Sequence, residues 1–179
     1  GFIMQLITER LFLIPLQPDG MRALLARTTD PELIQPYTDM LDLSLAHPEQ
    51  WVWYTAWGLY QNDSGDWVGD LCFKGLPENG QPEIGYGLLP EYEHQGYATE
   101  ALARVIDYLF EDEKLECLRG SCYRRNRAAA RVLEKCGMQR RGQSEISTVA
   151  SAVGPAIIGT ARGTMKGSLS GASSPVALL

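Results

Sequence analysis

Histidine is scarce in this chain: among 179 residues only His47 and His94 are histidines, and the four cysteines, Cys72, Cys117, Cys122 and Cys136, form no C-x-x-C pair. A zinc-type cluster is therefore not expected, no metal ligand is assigned, and the cysteines read as reduced structural thiols. No apolar run approaches the eighteen or so residues a membrane helix needs, which argues against a membrane partner. The opening stretch "GFIMQLITERLFLIPL" lacks both a basic leader and a cleavage site ahead of its charged residues, so the expectation is a cytoplasmic, unexported chain. Basic residues are in deficit: 16 Lys and Arg against 22 Asp and Glu give a formal charge of −6 and a pI near 4.9. That balance speaks against a nucleic-acid protein and favours a basic or amine-bearing partner. There is no G-x-x-x-x-G-K-[ST] sequence, "GYGLLP" at 85–90 lacks the third glycine of a dinucleotide fingerprint, and no internal repeat is visible.

What is present is enough for one domain with a substantial core. "ERLFLIPL" (9–16) is a short apolar strand closed by Pro15 and the "QPDG" turn, and a helix is expected near 20–28. "DPELIQPYTDMLDLSLAHPEQ" reads as a second helical region whose length is limited by Pro31, Pro36 and Pro48. From Trp51 the pattern changes to an antiparallel meander: "WVWYTAWGLYQ", the turn "NDSGD", "WVGDLCFKG", the turn "LPENGQ", then "PEIGYGLL". "ECLRGSCY" (116–123) is a further strand, and "NRAAARVLEKCG" a helix with Ala129, Val132, Leu133 and Cys136 inward and Gly137 at the C′ position. From Gly142 onward the chain is rich in Gly, Ser, Ala and Thr; the organisation expected is a domain over 1–141 and a loosely ordered tail over 142–179, with a weak strand candidate at "VGPAIIGTA".

The most informative stretch is "EHQGYATEALARVIDYLF" (93–110). Ala98, Ala101, Leu102, Val105, Ile106, Leu109 and Phe110 recur at helical spacing and define one buried face. Just before it, Gly96 removes side-chain bulk and Ala98 keeps the first inward position small, so a ligand can approach the unsatisfied N–H groups of the first turn. An anion would suit them, although a glycine that serves only the turn remains the alternative.

Together the meander ending in "EIGYGLLPEY", the loop "EHQGYATEA" and the later "NRAAARVLEKCGM" resemble the GNAT acetyltransferases, in particular their RimJ/RimL-type branch, over about residues 8–141. The resemblance implies an α/β fold with a GNAT-like central mixed, mostly antiparallel sheet flanked by helices. It also implies acetyl-CoA as co-substrate, its pyrophosphate held by backbone N–H groups in a Gln/Arg-x-x-Gly-x-Gly/Ala loop. On this chain the six positions are Glu93, His94, Gln95, Gly96, Tyr97 and Ala98, followed by Thr99. Glu93 stands where Gln or Arg is usual, and His94 where glycine is frequent. Asn126 matches the asparagine that contacts the pantetheine arm, and it is equally placed as an N-cap. The cluster Arg124, Arg125, Arg127 and Arg131 either meets the CoA phosphates or forms a solvated basic face.

Acetyl transfer requires a neutral amine, a polarised thioester and a route for the amine proton. Glu83, at the start of the "EIGYGLL" strand, is the candidate base, with a surface strand glutamate as the alternative. The family implies that backbone N–H groups near Leu88 and Leu89 pair with the pantetheine and polarise the carbonyl oxygen. Ala129 occupies the position where many relatives carry a thiolate-protonating Ser, which leaves water or Tyr123 for that role. The function implied is direct attack of a primary amine, on a small molecule or a protein N-terminus, in a ternary complex, with the protein a monomer or homodimer. A non-catalytic or degenerate acetyl-CoA-binding module is the alternative, since family members normally end in two further aromatic and aliphatic strands that "SEISTVASAV" hardly supplies. A diverged tail or a changed reading frame near residue 142 would each account for that. Trp51, Trp53, Tyr54 and Trp57 either line an acceptor pocket or pack within the sheet.

Overall fold

The computed structural model of the chain describes residues 4–73, 82–113, 115–123, 126–143 and 147–153. Leu6–Ile7 (β1) and Leu11–Pro15 (β2) form a tight hairpin in which Thr8 and Leu11 exchange hydrogen bonds. Alternation along β2 buries Leu11, Leu13 and Pro15. Two helices follow, Pro18–Arg27 (α1) and Pro31–Ala46 (α2), both with proline in the first turn, where its missing N–H costs nothing. Asp30 caps α2 by accepting the Glu32 N–H at 2.9 Å. Pro36 does not break α2 as the sequence suggested: it lies early in the helix, where one lost bond is tolerated by the turns that follow.

Ala56–Gln61 (β3), Trp67–Phe73 (β4) and Glu83–Leu88 (β5) continue the antiparallel meander from β2. The strand expected from Trp51 begins only at Ala56. Trp51–Trp53 instead turn as a short 3₁₀ helix, with the Trp51 carbonyl accepting from Tyr54 and Thr55 and the Val52 carbonyl accepting from the Trp57 indole. Gly65 supplies the positive φ of the "NDSGD" turn, whereas the "LPENGQ" turn lies outside the described residues. β4 and β5 approach closely at Gly69, where a Cβ would stand 2.1 Å from the Gly87 carbonyl oxygen.

The helix Tyr97–Glu111 (α3) buries Ala98, Ala101, Leu102, Val105, Ile106 and Leu109, as its periodicity predicts, and Tyr97 in addition. Each large member of that face contributes on the order of 1.5–3 kcal/mol on leaving water. Cys117–Tyr123 (β6) joins β5 as the sheet's one parallel pair among the described residues, and Arg127–Lys135 (α4) follows. α4 ends as expected, with Gly137 at φ 87°, its N–H on the Glu134 carbonyl and the Met138 N–H on the Leu133 carbonyl.

Gln139–Gln143 (β7) and Ser147–Val153 (β8) complete a sheet ordered β1-β2-β3-β4-β5-β6-β8-β7. β8 pairs with β6 along all seven residues, from Cys117↔Val153 to Tyr123↔Ser147. The expectation of loose order from Gly142 is thereby corrected for 147–153: ladder bonds to strands on both sides order a segment whose small side chains give little periodic signal. The strand candidate "VGPAIIGTA" lies almost wholly outside the described residues. One face of the sheet carries α3 and α4 over a core that includes Leu13, Leu59, Leu71, Ile84, Leu118 and Leu133. The other carries α1 and α2 over Leu16, Met21, Leu24, Tyr37, Ala56 and Cys72. The architecture is thus the α/β arrangement expected, a mixed and mostly antiparallel sheet flanked by helices.

Candidate active site

β5 and β6 pair only at Glu83↔Arg119 and Ile84↔Gly120, although β5 continues to Leu88 and β6 to Tyr123. Two parallel strands that pair at their starts and then part leave a fork at their carboxyl ends, a place where α/β sheets accept ligands. A cleft of about 510 Å³ occupies it, lined among others by Tyr86 and Leu88 of β5, the loop residues Glu93 and His94, the start of α3, and Asn126, Arg131 and Lys135 on the α4 side. The Leu89 N–H donates to the Val68 carbonyl at 2.9 Å, and the Arg119 N–H to the Pro82 carbonyl. Alternation along β5 then aims the N–H groups of Tyr86 and Leu88 into the fork.

The loop is built on two left-handed residues, His94 at φ 60° and Gly96 at φ 83°. Gly96 is the N-cap of α3, with no side chain capping it, and the helix closes its first turn with the Glu100 N–H on the Gly96 carbonyl at 3.0 Å. The N–H groups of Tyr97, Ala98 and Thr99 therefore have no partner within the helix, and they sit at the positive end of its dipole beside the cleft. Arg131 and Lys135 add positive charge from the opposite wall, whereas Glu93 lines the same cleft with a negative one. Burial pushes the Tyr86 phenol up from its ordinary value. The donor set fits a diphosphate carried by an elongated ligand.

Of the residues singled out from sequence, the structure brings Leu88, His94, Gly96, Tyr97, Ala98, Thr99 and Asn126 to one cleft. Asn126 also caps α4, its Oδ1 accepting the Ala129 N–H at 3.0 Å, so both roles considered for it coexist geometrically. Gln95 faces elsewhere: its Nε2 donates to the Glu91 carbonyl and its own carbonyl accepts from Arg10. The Leu89 N–H is committed to β4, so of the two adjacent N–H groups Leu88 has the orientation to meet a ligand. Glu83 is not a cleft residue. It lies on the face of β5 away from Tyr86 and Leu88, where its carboxylate accepts a hydrogen bond from the Ser121 hydroxyl. Tyr123 ends β6, and its side chain is outside the described residues, as are Arg124 and Arg125. Arg127 is exposed and, unlike Arg131, is not part of the lining.

Trp57 is buried at 1% exposure, and Trp53 packs edge-on against Phe73, so those two tryptophans serve the core. Tyr54 stacks on His47. Sequence reasoning missed Tyr86, Val132 and Lys135 as cleft residues. The i, i+3 and i, i+4 steps from Ala128 through Arg131 and Val132 to Lys135 would have indicated one common face of α4. Among the described residues there is no cluster that could hold a metal, and no helix is long and apolar enough to cross a membrane.

A mixed sheet whose parallel pair forks, with a helix N-terminus beside the fork, defines the class of α/β fold to which the chain belongs. A family described as the acetyltransferase (GNAT) domain matches residues 10–139, most of the chain, and the chain belongs to that family. It is 31% identical over 87 residues to the uncharacterized N-acetyltransferase YoaA of Bacillus subtilis (48% of this chain, 49% of the relative). It thus spans about half the length of that curated relative. It is 27% identical over 153 residues to the uncharacterized N-acetyltransferase p20 of Bacillus licheniformis, covering 76% of this chain and 83% of the relative. The fold is similar to the crystal structure of an acetyltransferase from Agrobacterium tumefaciens, with TM-score 0.65 and 23% identity over 85% of this chain and 95% of that one.

Proposed function

We propose that this chain is an N-acetyltransferase of the RimJ/RimL-type branch that passes acetyl from acetyl-CoA to a primary amine by direct attack in a ternary complex. The observation that carries this reading is the fork between β5 and β6, with the bare N–H groups of Tyr97, Ala98 and Thr99 on one side and Asn126, Arg131 and Lys135 on the other. The co-substrate supplies an activated acetyl group as a thioester. Tyr97, Ala98 and Thr99 would hold its diphosphate, Arg131 and Lys135 would balance its charge, and Asn126 and the Leu88 N–H would align its arm. Beyond Ile84 and Gly120 the two strands no longer pair. The amine then arrives from the α1–α2 side, where Glu83 stands beside Ser121.

In the transfer an N–C bond forms and the C–S bond breaks. The proton lost by the amine passes to Glu83 through water, and the thiolate takes a proton from solvent or Tyr123. No covalent enzyme intermediate is required, so positioning carries much of the acceleration. The four described thiols are unbridged, which accords with a cytoplasmic setting.

A second reading, a module that binds acetyl-CoA without turnover, is favoured by Glu93 in the cleft and by the apolar, buried Ala129 where a hydroxyl would assist the leaving thiolate. Calorimetric titration with acetyl-CoA, followed by thiol release across a panel of protein N-termini, polyamines, amino acids and aminoglycosides, separates the two. Binding with turnover of one amine class supports the enzyme; binding without turnover supports the module. Gly96→Glu, which places a carboxylate in the loop, should abolish binding, and full binding by that variant would remove the loop from the site.

A further inference from the structure

Arg10, in the turn between β1 and β2, reaches a loop 85 positions away in sequence. Its Nη1 donates to the Gln95 carbonyl at 3.0 Å, its Nε donates to Glu100 Oε1 at 2.8 Å, and its backbone N–H donates to Glu100 Oε2 at 2.9 Å. The guanidinium lies over the Tyr97 ring, 4.1 Å from the ring centroid. Thr8 Oγ1 adds a 2.5 Å bond to Glu100 Oε2. One side chain thus touches the loop before Gly96, the first residue of α3 and the fourth.

Two consequences follow for the anion site. In a trans peptide the N–H points opposite to the preceding C=O. There are no cis peptides among the described residues, so the bond from Arg10 to the Gln95 carbonyl turns the Gly96 N–H away from Arg10, and Gly96 borders the cleft. Glu100, meanwhile, is an acid in the first turn of α3, where the helix dipole would draw its carboxylate toward the same N–H groups that an anionic ligand needs. Three donors hold it on the β1–β2 side instead. Burial pushes the Glu100 carboxyl up, but the hydrogen bonds from Thr8 and Arg10 outweigh burial and hold it below the usual range.

We propose that Arg10 is a positioning residue of the anion-binding loop, fixing the Gln95–Gly96 peptide so that the Gly96 N–H joins the α3 donors and keeping the Glu100 carboxylate from competing for them. The proposal rests on the acyl-CoA reading of the cleft. Its test is calorimetric titration of the full chain with acetyl-CoA and, separately, with inorganic pyrophosphate, at fixed ionic strength. The variants are Arg10→Ala, Arg10→Lys and the double variant Arg10→Ala with Glu100→Gln. Arg10→Ala should weaken both ligands by roughly tenfold, in line with loss of several charge-assisted bonds. Adding Glu100→Gln should recover roughly threefold or more of that loss, because a neutral amide no longer competes with the anion. A residue that merely braced the fold would show no such recovery.

Arg10→Lys retains the charge but cannot bridge Glu100 and Gln95 together, and should lose roughly threefold or more. If near-UV circular dichroism shows Arg10→Ala unfolded, the lysine variant decides. In a variant series that turns over an amine, KM for acetyl-CoA should rise while kcat at saturation changes by less than about threefold. Wild-type affinity in the Arg10 variants, or no recovery in the double variant, would overturn the proposal. Wild-type protein that binds pyrophosphate but not acetyl-CoA would reject the acyl-CoA reading, with the pyrophosphate series still deciding the role of Arg10. Wild-type protein that binds neither would overturn both.

Discussion

The Tyr37 hydroxyl of α2 donates a 2.5 Å hydrogen bond to the carboxylate of Asp70 in the middle of β4, and both side chains are buried. Asp70 sits between Gly58 and Gly87 on the neighbouring strands, beneath α1 and α2. Burial raises its pKa to about 6 from 3.8, against the opposing effects of the Tyr37 hydrogen bond and the charge of Arg27. A group whose folded pKa is raised binds more protons in the folded state, so its contribution is fully present below about pH 3.8 and is lost as pH rises through about 6. That difference corresponds to on the order of 2–3 kcal/mol. Asp70→Asn retains an oxygen that accepts from Tyr37 and removes the buried charge. It should raise unfolding free energy at pH 7.5 by on the order of 1–3 kcal/mol, with the gain shrinking toward pH 4. Urea melts at the two pH values check this, and a gain that is equal at both would refute the assignment.

His94 carries a backbone φ of 60° with a β-carbon in place, a conformation that favours glycine. His94→Gly removes the steric cost but enlarges the unfolded ensemble, for an expected net gain of about 0.5 kcal/mol. His94→Val, β-branched, should instead lose about 1 kcal/mol or more. Thermal melts of the two variants should therefore move in opposite directions, and a common direction would mean that the loop relaxes out of the left-handed region.

The helices and the meander were legible because each repeats one signal along its length. The 3.6-residue recurrence from Ala98 to Leu109 and the alternation along β2 follow directly from which face meets the core. Gly96 and Asn126 were legible for a different reason, since each answers a local need of a helix start. Part of what escaped depends on contacts distant in sequence. β8 carries small residues and is ordered by its ladder to β6. Nothing near Arg10 in the chain announces its contact with Gln95 and Glu100. The turn at Trp51 escaped for a local reason: the Trp51 and Val52 carbonyls accept from Tyr54, Thr55 and Trp57 inside a stretch whose aromatic composition reads as strand.

Gly69 tests the join between β4 and β5 at the base of the site. A Cβ there would stand 2.1 Å from the Gly87 oxygen and 2.8 Å from the Leu88 Cα, both backbone atoms that cannot swing aside. Gly69→Ala must therefore separate the strands, at an expected cost of about 3 kcal/mol or more. Chemical denaturation should show the loss, and a variant within about 0.5 kcal/mol of wild type would mean that β5 can slide without disturbing the fold.

Glu93 is half-buried and lines the cleft that the N–H groups of α3 share. A carboxylate there repels a diphosphate, so Glu93→Gln should lower Kd for acetyl-CoA by roughly three- to tenfold at low ionic strength. The gain should shrink as salt is raised, because an interaction through partly solvated space is screened within about 8–10 Å at 0.1–0.15 M. A salt-independent gain would place the cause in loop geometry, and no gain would show that the side chain turns from the ligand.

Glu83 provides the sharpest test of chemistry as distinct from binding. It accepts from Ser121 on the face of the sheet opposite to the cleft-lining Tyr86 and Leu88, so a substitution there leaves the anion site intact. Glu83→Gln should therefore lower kcat at neutral pH by roughly a hundredfold, within the range that general-base assistance supplies, while KM for acetyl-CoA changes by less than about twofold. If kcat does not fall, the α1–α2 face is not the acceptor side, and the amine must enter through the same mouth as the co-substrate.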